Sequence, residues 1–464
     1  MRRRKVLKWG AALGGIAGAG LAGRALIAPG PSAELAPVTD LARRLYDELD
    51  GGGWSDGIVA YDHPLRQYHN RGVDTGGVWS VLLPYGTRST LTDLVHASLS
   101  PKGRARLPSQ QLLSAAGVNT TRTLFAGHPD EDYQVLVTGP HVNLRIGGQN
   151  REGVAFGGPQ VYGDQRGDGE IGLPGNVYRF QLERGQKLLR GLSAAERAVV
   201  RQATAPPQTQ VGVRGSGARL PGLAVGALPA AQRARARDFV DSILETYRED
   251  DAVYAWRCLE NNGGLDALHV TDYEQDYQGG RLAGAAPSQV IRLEGPSAVF
   301  HYRGEPHLHA FLNVAMDGEA PLSVGDELGV NPQELEGADV AQFFDVVLRS
   351  QDGVDFGFYP QEAVADRLRA GVIRTGDIYD LESWREQMAV VEIQGADLSG
   401  EARATLRRQG RLGDRARYRV ATIGHAAGDP ERFGMANVGD TAWRDSLRDA
   451  TIAYLRRNDF PEPA

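Results

Sequence analysis

The sequence predicts an α+β fold in which mixed sheets carry flanking helices and long loops. Short strand-like runs and amphipathic segments follow one another without the regular strand–helix alternation of a doubly wound sheet. The chain also contains 59 glycines, which is typical of a loop-rich protein. Its hydrophobic content of 41% is ordinary for a globular protein and too high for disorder.

Residues 1–33 are predicted to be a twin-arginine-type signal peptide. A basic block from Met1 to Lys8, with the pair Arg3-Arg4, precedes a weakly apolar stretch from Trp9 to Gly23. That stretch is shorter than the roughly 20 apolar residues that span a bilayer. The expected product is therefore a soluble protein in the periplasm or outside the cell, with no membrane association after cleavage.

Charge and cysteine content limit the partners of this protein. Removal of residues 1–33 takes away six basic residues and no acidic one, so the formal charge changes from −7 to −13. An acidic surface does not suit nucleic acid, which requires clustered Lys and Arg, so no nucleic-acid partner is expected. Cys258 is the only cysteine, which excludes an intramolecular disulfide.

Sequence periodicity and turn residues place the predicted elements along the chain. Those of the first half are a helix over Glu34–Asp50, a strand over Trp79–Pro84, two helices within Leu91–Gly117 broken near Pro101 and Pro108, strands over Tyr133–Thr138 and His141–Ile146, a capping box at Ser193–Glu196 and a helix over Pro229–Glu249. Those of the second half are strands over Gln289–Leu293, Ala298–Tyr302 and His307–Val314, a polar boundary over Asp317–Asn331, helices over Leu335–Arg349 and Glu362–Ala370, and strands over Met388–Ile393 and Tyr418–Ile423.

The segment His307-Leu308-His309 is the most informative candidate site. Residues two apart in a strand project from the same face, so both imidazoles could reach one metal ion or one substrate. His141 lies on an earlier predicted strand and is a plausible third ligand, and three histidines can hold Zn, Cu or Fe. The alternative is a pair of histidines that hydrogen-bond on a polar sheet face and serve only the fold.

Several common catalytic motifs do not occur in the sequence. It contains no H-E-x-x-H and no Walker loop, which excludes the metalloproteases and nucleotide hydrolases that these two motifs mark. Gly18, Gly20 and Gly23 match a dinucleotide-binding pattern, but they lie inside the predicted signal peptide.

Residues 60 to 316 resemble the family grouped as domain of unknown function 3500. The matching pieces include Gly139-Pro140-His141-Val142-Asn143, Phe156-Gly157-Gly158-Pro159, and Glu294-Gly295-Pro296 followed by His307-Leu308-His309. In that family the first segment is usually Gly-His-His, and here Pro140 stands in place of its first histidine. The resemblance implies a domain over residues 34–316, and a shared metal site at His141, His307 and His309 if the family's histidines gather.

Residues 350 to 435 resemble the carboxy-terminal domain of 5′-nucleotidases, through Gly376-Asp377-Ile378-Tyr379 and the two strands near Met388 and Tyr418. The resemblance implies a smaller α/β-type domain over residues 334–464, after a linker of residues 317–333. In complete 5′-nucleotidases this domain holds the nucleoside between aromatic side chains, and Arg367 and Phe433 fall at comparable places. The Asp-x-His and Gly-Asn-His motifs of the hydrolytic metallophosphoesterase domain appear nowhere in the sequence.

Three functional hypotheses remain open from the sequence. The first is an exported soluble metal-binding protein, including a metalloenzyme, with a divalent transition metal (Zn, Cu or Fe) held by the three histidines. The second is a non-catalytic protein that binds an unknown small molecule or a partner. The third is a nucleotide-processing hydrolase that lacks the usual metallophosphoesterase domain. The sequence leaves the reaction, the substrate and the oligomeric state open.

Overall fold

Short strands, paired mostly antiparallel, and the helices that pack on them make up the part of the protein that the structure describes. The computed structural model describes residues 37–67, 76–114, 121–139, 142–147, 154–157, 161–164, 177–206, 213–275, 290–303, 308–316, 318, 325–364, 367–382 and 385–461. Helices and mixed sheets occur together, so the predicted α+β class is confirmed. The predicted signal peptide lies outside the described residues, and the chain from Leu35 to Ala464 forms one unit.

Twelve α-helices lie within the described residues. They are α1 (Val38–Gly51), α2 (Tyr85–Ala97), α3 (Pro101–Ser114), α4 (Arg179–Arg190), α5 (Ala194–Val200), α6 (Ala230–Leu244), α7 (Glu249–Asn261), α8 (Ala338–Arg349), α9 (Thr375–Leu381), α10 (Gly400–Gln409), α11 (Gly424–Gly428) and α12 (Leu447–Leu455). None of these helices combines the length and the hydropathy that a bilayer crossing requires.

The described ranges also contain nineteen strands. They are β1 (Ile58–Val59), β2 (Val78–Trp79), β3 (Arg122–Gly127), β4 (Tyr133–Thr138), β5 (Val142–Gly147), β6 (Val154–Gly157), β7 (Val161–Asp164), β8 (Arg201–Thr204), β9 (Leu223–Ala224), β10 (His269–Gln275), β11 (Val290–Glu294), β12 (Ala298–Arg303), β13 (Leu308–Ala315), β14 (Glu327–Asn331), β15 (Phe356–Gly357), β16 (Gly371–Arg374), β17 (Gln387–Gln394), β18 (Arg417–Ile423) and β19 (Thr441–Ser446).

The largest sheet follows the order β1-β3-β4-β5-β7-β13-β12-β11-β10-β8. Three more strands pair with it outside this path: β2 with β3, β6 with β13, and β9 with β10. The pairs β1–β3 and β8–β10 are parallel, whereas the strands between them are antiparallel. Strands distant in sequence, such as β7 and β13, therefore become neighbours at its centre.

Helices cover one side of this sheet. Apolar side chains of α1 and α2 pack on β3, β4 and β5, and those of α4, α6 and α7 pack on β10 to β13. Strand β7 pairs with both β5 and β13. Because alternate residues of a strand face opposite sides, this register places the two groups of helices on the same side of the sheet. A different set of residues, at the alternate positions of β10 to β13, therefore faces the opposite side of the sheet.

The carboxy-terminal part has its own sheet, in the order β15-β18-β17-β19, and a two-stranded ribbon of β14 and β16. Its buried apolar residues form one cluster between Leu328 and Leu455, to which α8, α10 and α12 contribute. Gly357 permits a close approach of β15 to α8, since a Cβ at this position would lie 2.1 Å from the carbonyl oxygen of Asp345.

Several predicted elements agree with the structure, and others differ for physical reasons. The capping box is confirmed: Ser193 Oγ accepts from the Glu196 amide, and the Glu196 carboxylate accepts from the Ser193 amide. The predicted break near Pro108 is wrong, because α3 continues through it. The predicted helix over Glu362–Ala370 is also wrong. A short 3-10 helix, Gln361–Ala363, forms instead, and the exchange of backbone hydrogen bonds between Leu368 and Leu335 holds the chain extended.

Other corrections concern boundaries. The predicted helix Pro229–Glu249 ends at Leu244, and a second helix begins at Glu249. Within the predicted strand Trp79–Pro84, only Trp79 is in strand conformation. The predicted polar boundary 317–331 contains β14, because Glu327–Asn331 pairs with β16. That pairing joins segments about 40 residues apart, which local polarity does not reveal.

Candidate ligand-binding site

Three rows of side chains cross β10, β11, β12 and β13 on the side of the sheet that faces away from the helices. Cross-strand pairing sets the rows as His269–Glu294–Val299–Asn313, Thr271–Arg292–His301–Phe311 and Tyr273–Val290–Arg303–His309. We call six of these residues the polar face: Arg292, Glu294, His301, Arg303, His309 and Asn313. Alternation places apolar residues on the helix-covered side and these polar residues opposite them.

Arg292 and Glu294 form the charged centre of the polar face. Arg292 is 0% exposed and Glu294 is 1% exposed, and Arg292 Nη2 lies 3.4 Å from Glu294 Oε1. Each charge compensates the other, because an isolated charge in a buried position costs several kcal/mol, of the order of 3 to 5 when one partner is removed.

His301 lies between two guanidinium groups. Burial lowers the pKa of His301 well below its ordinary value, and repulsion from Arg292 and then Arg303 lowers it further. The ring is therefore neutral at physiological pH. Its Nδ1 atom is buried and has no hydrogen-bond partner among the described residues. Phe311 packs against the ring, with the two ring centroids 5.9 Å apart.

His309 is paired with Arg303 directly across β12 and β13. Arg303 Nη2 donates to His309 Nδ1 at 3.1 Å. A guanidinium can only donate, so Nδ1 accepts, and the neutral His309 ring carries its proton on Nε2. In this arrangement Nε2–H is a hydrogen-bond donor.

Asn313 ends the first row of the polar face. It is 1% exposed, and its Nδ2 and Oδ1 atoms are both without a hydrogen-bond partner in the described part of the chain. A buried polar atom left without a partner costs about 1–3 kcal/mol. Together with His301 Nδ1, the polar face thus has three buried atoms without a hydrogen-bond partner in the described part of the chain.

The predicted metal ligands are only partly placed by the structure. His309 is on β13, whereas His141 and His307 lie outside the described residues, so their distances to it stay untested. The residues that are described contain no group of three His, Cys, Asp or Glu suited to a metal ion.

The protonation state of the His309 ring does not suit a metal ion bound at Nε2. A histidine that binds metal through one nitrogen normally donates the proton of the other to an acceptor. Here the second nitrogen accepts from Arg303 instead, which leaves the proton on the nitrogen that a metal would need. We therefore derive no chemistry through a metal from this geometry.

The metal hypothesis has a direct test. It predicts about one equivalent of Zn, Cu or Fe in the purified mature protein, with a loss in the His307→Ala variant because one of three ligands is removed. Elemental analysis by inductively coupled plasma mass spectrometry measures this. The His425→Ala variant, which removes an exposed histidine, is the matched control. A content below about 0.1 equivalent that His307→Ala leaves unchanged would exclude the site.

Arg367 and Phe433, the predicted ligand-binding residues of the carboxy-terminal part, have different surroundings. Arg367 Nη1 lies 2.6 Å from a carboxylate oxygen of Glu334. Phe433 is 5% exposed, with the Arg432 guanidinium over its ring and the edge of His425 against it. A ring enclosed in this way has little surface to offer a base, and a nucleotide role for the two residues stays a prediction.

Sequence reasoning missed most of the polar face. It selected His309. It did not select Arg292, Arg303 or Asn313, and it did not pair His301 with them. The sequence did contain a signal for this face, because polar residues stand two positions apart in successive predicted strands. They are Arg292 and Glu294 in one strand and His301 and Arg303 in the next. That alternation was interpretable as one shared face only once the antiparallel register was fixed.

Comparison with known proteins adds little to this geometry. No protein-family model and no curated protein matches the chain. Among solved structures, a 5′-nucleotidase precursor from Thermus thermophilus matches at 12% identity and a TM-score of 0.24, over 36% of this chain and 46% of that one. The chain thus covers less than half the length of that protein, and a likeness at this TM-score carries no argument about function. The resemblance to domain of unknown function 3500 stays a prediction.

Proposed function

We propose that this protein is an exported binding protein for a small, negatively charged molecule, which it holds at the polar face. The observation that carries the proposal is a set of three buried atoms, on His301 and Asn313, that have no hydrogen-bond partner among the described residues and lie beside two buried or half-buried guanidiniums. Export rests on the predicted signal peptide alone.

The charges of the polar face favour an anion. Arg292 and Arg303 are positive, Glu294 is the only acid among the six residues, and burial keeps His301 neutral. Arginine presents several N–H donors in a fixed plane and binds carboxylate and phosphate groups in a bidentate manner. Few polar groups within an enclosed site are enough to orient a small ligand.

His301 and Asn313 supply the neutral contacts in this proposal. Asn313 can donate through Nδ2 and accept through Oδ1, and His301 can donate or accept at Nδ1 depending on its tautomer. His309 adds a donor at Nε2 when neutral. The expected ligand therefore combines an anionic group with hydroxyl, carbonyl or amide groups.

A thermal-shift panel tests the proposal. We expect glycerol 3-phosphate, inorganic phosphate or citrate to raise the melting temperature by about 2 °C or more at saturation, because a ligand that binds only the folded state stabilises it. Uncharged glycerol at the same concentration is the matched neutral compound and should give no shift.

The variant Asn313→Leu removes both unpartnered atoms at nearly constant volume. It should abolish the ligand-induced shift without lowering the melting temperature of the free protein, since the Asn313 side chain makes no hydrogen bond with the residues that the structure describes. Asn458→Leu, at an exposed position of the same residue type, is the control and should retain the shift. If no anion in the panel shifts the wild-type protein, or if Asn313→Leu retains the shift, binding at the polar face is excluded.

A further inference from the structure

The end of α4 lies close to the first turns of α6, because the residue that ends α4 has no side chain. This residue is Gly191, and a Cβ at its position would collide with the side chains of Gln232 and Arg235 on α6. The buried Gln232 side chain donates through Nε2 to the carbonyl oxygen of Gly191. The contact satisfies one of the carbonyl groups that the end of a helix leaves without a partner, and it joins the two helices.

A groove of about 750 Å³ lies beside this contact, and we call it the α4–α6 groove. Three cationic side chains line it: Lys187 and Arg190 from α4, and Arg235 from α6. Lys187 and Arg190 are three positions apart in one helix, so their side chains are neighbours on its surface. The volume is within the range of small-molecule sites, which is roughly 300 to 1,000 Å³.

The three cations of the groove have no carboxylate partner among the described residues. Arg190 Nη1 donates to the amide oxygen of Gln186 at 3.4 Å. Arg235 Nη1 donates to the amide oxygen of Gln232 at 3.0 Å. Lys187 is exposed and makes no hydrogen bond or ion pair within the described part of the chain. An amide oxygen orients a guanidinium without neutralising it, so all three charges remain available to a ligand.

Arginines nearer the beginning of α4 are neutralised instead. Arg184 Nη1 lies 3.8 Å from Asp238 Oδ2 on α6. Arg179 Nε lies 3.1 Å from Glu183 Oε1, one turn along α4. The excess of positive charge is therefore a property of the groove and not of the whole helix pair.

Glu196 is the one acidic residue among those that line the groove in the described structure. Its carboxylate is engaged in the capping box of α5, where it accepts from the Ser193 amide at 2.6 Å. Three cations and one carboxylate give the lining a formal excess of two positive charges. Ser193 Oγ accepts from the Glu196 amide, so the hydroxyl proton of Ser193 is a further donor at the groove.

We propose that the α4–α6 groove binds a diphosphate group, with one phosphoryl group at Lys187 and Arg190 and the other at Arg235. Arginine binds phosphate oxygens in a bidentate manner, and lysine binds them as a point charge. Two linked phosphoryl groups reach cations on two different helices, which a single phosphate does less well. The groove belongs to the helix layer, on the opposite side of the sheet from the polar face, so this inference does not depend on the proposed function.

Isothermal titration calorimetry of the full mature chain with pyrophosphate, in metal-free buffer, tests the proposal. We expect Lys187→Gln and Arg235→Gln each to weaken binding about tenfold, as is usual for the loss of one charge-assisted contact. Arg44→Gln is the matched control, because Arg44 is an exposed arginine of α1 that also has no carboxylate partner among the described residues. It should change the affinity less than about twofold. Circular dichroism melts confirm that each variant is folded.

Two results would exclude the groove directly. One is an affinity for pyrophosphate that Lys187→Gln leaves unchanged. Lys187 is exposed, so its replacement does not disturb the packing of α4 on α6. The other is an equal loss of affinity in Arg44→Gln, which would mean that pyrophosphate binds only to general surface charge.

The Asn313→Leu variant separates the groove from the polar face. It should bind pyrophosphate as the wild-type protein does, and a loss of binding in this variant would place the anion at the polar face and exclude the groove. Citrate, which carries its charge on carboxylates, should bind Asn313→Leu at least tenfold more weakly than pyrophosphate. Equal affinity would overturn the assignment of a diphosphate group. If the wild-type protein binds no pyrophosphate but shows a ligand-induced shift that Asn313→Leu abolishes, the groove is excluded and the polar face stands.

Discussion

Replacement of Glu294 by glutamine is expected to lower the free energy of unfolding by about 3 kcal/mol, because it removes the buried carboxylate that faces the fully buried guanidinium of Arg292. Both side chains are almost fully buried, with 3.4 Å between Nη2 and Oε1. The neutral amide keeps the shape of the carboxylate, so the loss reports on charge and not on packing. Urea denaturation followed by circular dichroism measures the change.

A matched control separates burial from pairing. Glu274 also lies 3.4 Å from an arginine, Arg201, but 54% of its side chain is exposed. Glu274→Gln should therefore cost less than about 0.5 kcal/mol, as is typical of surface ion pairs. Equal effects of the two substitutions would mean that burial of the Arg292–Glu294 pair contributes nothing to the loss of stability.

A double replacement tests whether the loss of stability comes from the unbalanced buried charge. Arg292→Met combined with Glu294→Leu removes both charges at similar volume, and much of the stability lost in Glu294→Gln should return. The double variant should nevertheless fail to bind anions at the polar face, since Arg292 belongs to this face. Stability without binding would show that the pair is retained for recognition.

Local sequence patterns predicted where the helices and strands of this protein lie better than they predicted which segments pair with one another. Strand-like composition located Tyr133–Thr138 to the residue, and the capping box marked the start of α5 correctly. Such features depend on neighbours within a few positions. The helix predicted over Glu362–Ala370 was wrong because Leu368 pairs with a residue more than 30 positions away.

The candidate site shows the same limit. Polar residues at alternate positions were visible in each strand, but the rows that join Arg292 to His301 depend on how strands pair in space. Only the folded chain brings Arg292, His301 and Phe311 into one row.

The second large effect concerns Asp345, a buried carboxyl group on α8. Burial, with a smaller contribution from Glu401, raises the pKa of Asp345 from 3.8 to about 8, although the Tyr359 amide and the positive charge of Arg408 both act to lower it. The Tyr359 amide donates to Oδ1 of this carboxyl group at 2.7 Å. Between about pH 4 and pH 8 the folded chain therefore holds a proton on Asp345 that the unfolded chain has lost. Stability from this group is complete below about pH 4 and falls as pH rises through that window.

Replacement of Asp345 by asparagine should remove this pH dependence, because the amide accepts the Tyr359 hydrogen bond and never ionises. Relative to the wild-type protein, the free energy of unfolding of the Asp345→Asn variant is expected to rise by about 3 to 4 kcal/mol between pH 5 and pH 8. Urea denaturation at four pH values measures the difference, which cancels the titration of all other groups. Asp429→Asn, at an exposed position, should give a difference that varies by less than about 0.5 kcal/mol. A flat difference for Asp345→Asn as well would show that the carboxyl ionises in the folded protein as freely as in the unfolded chain, and that the contact with Tyr359 outweighs its burial.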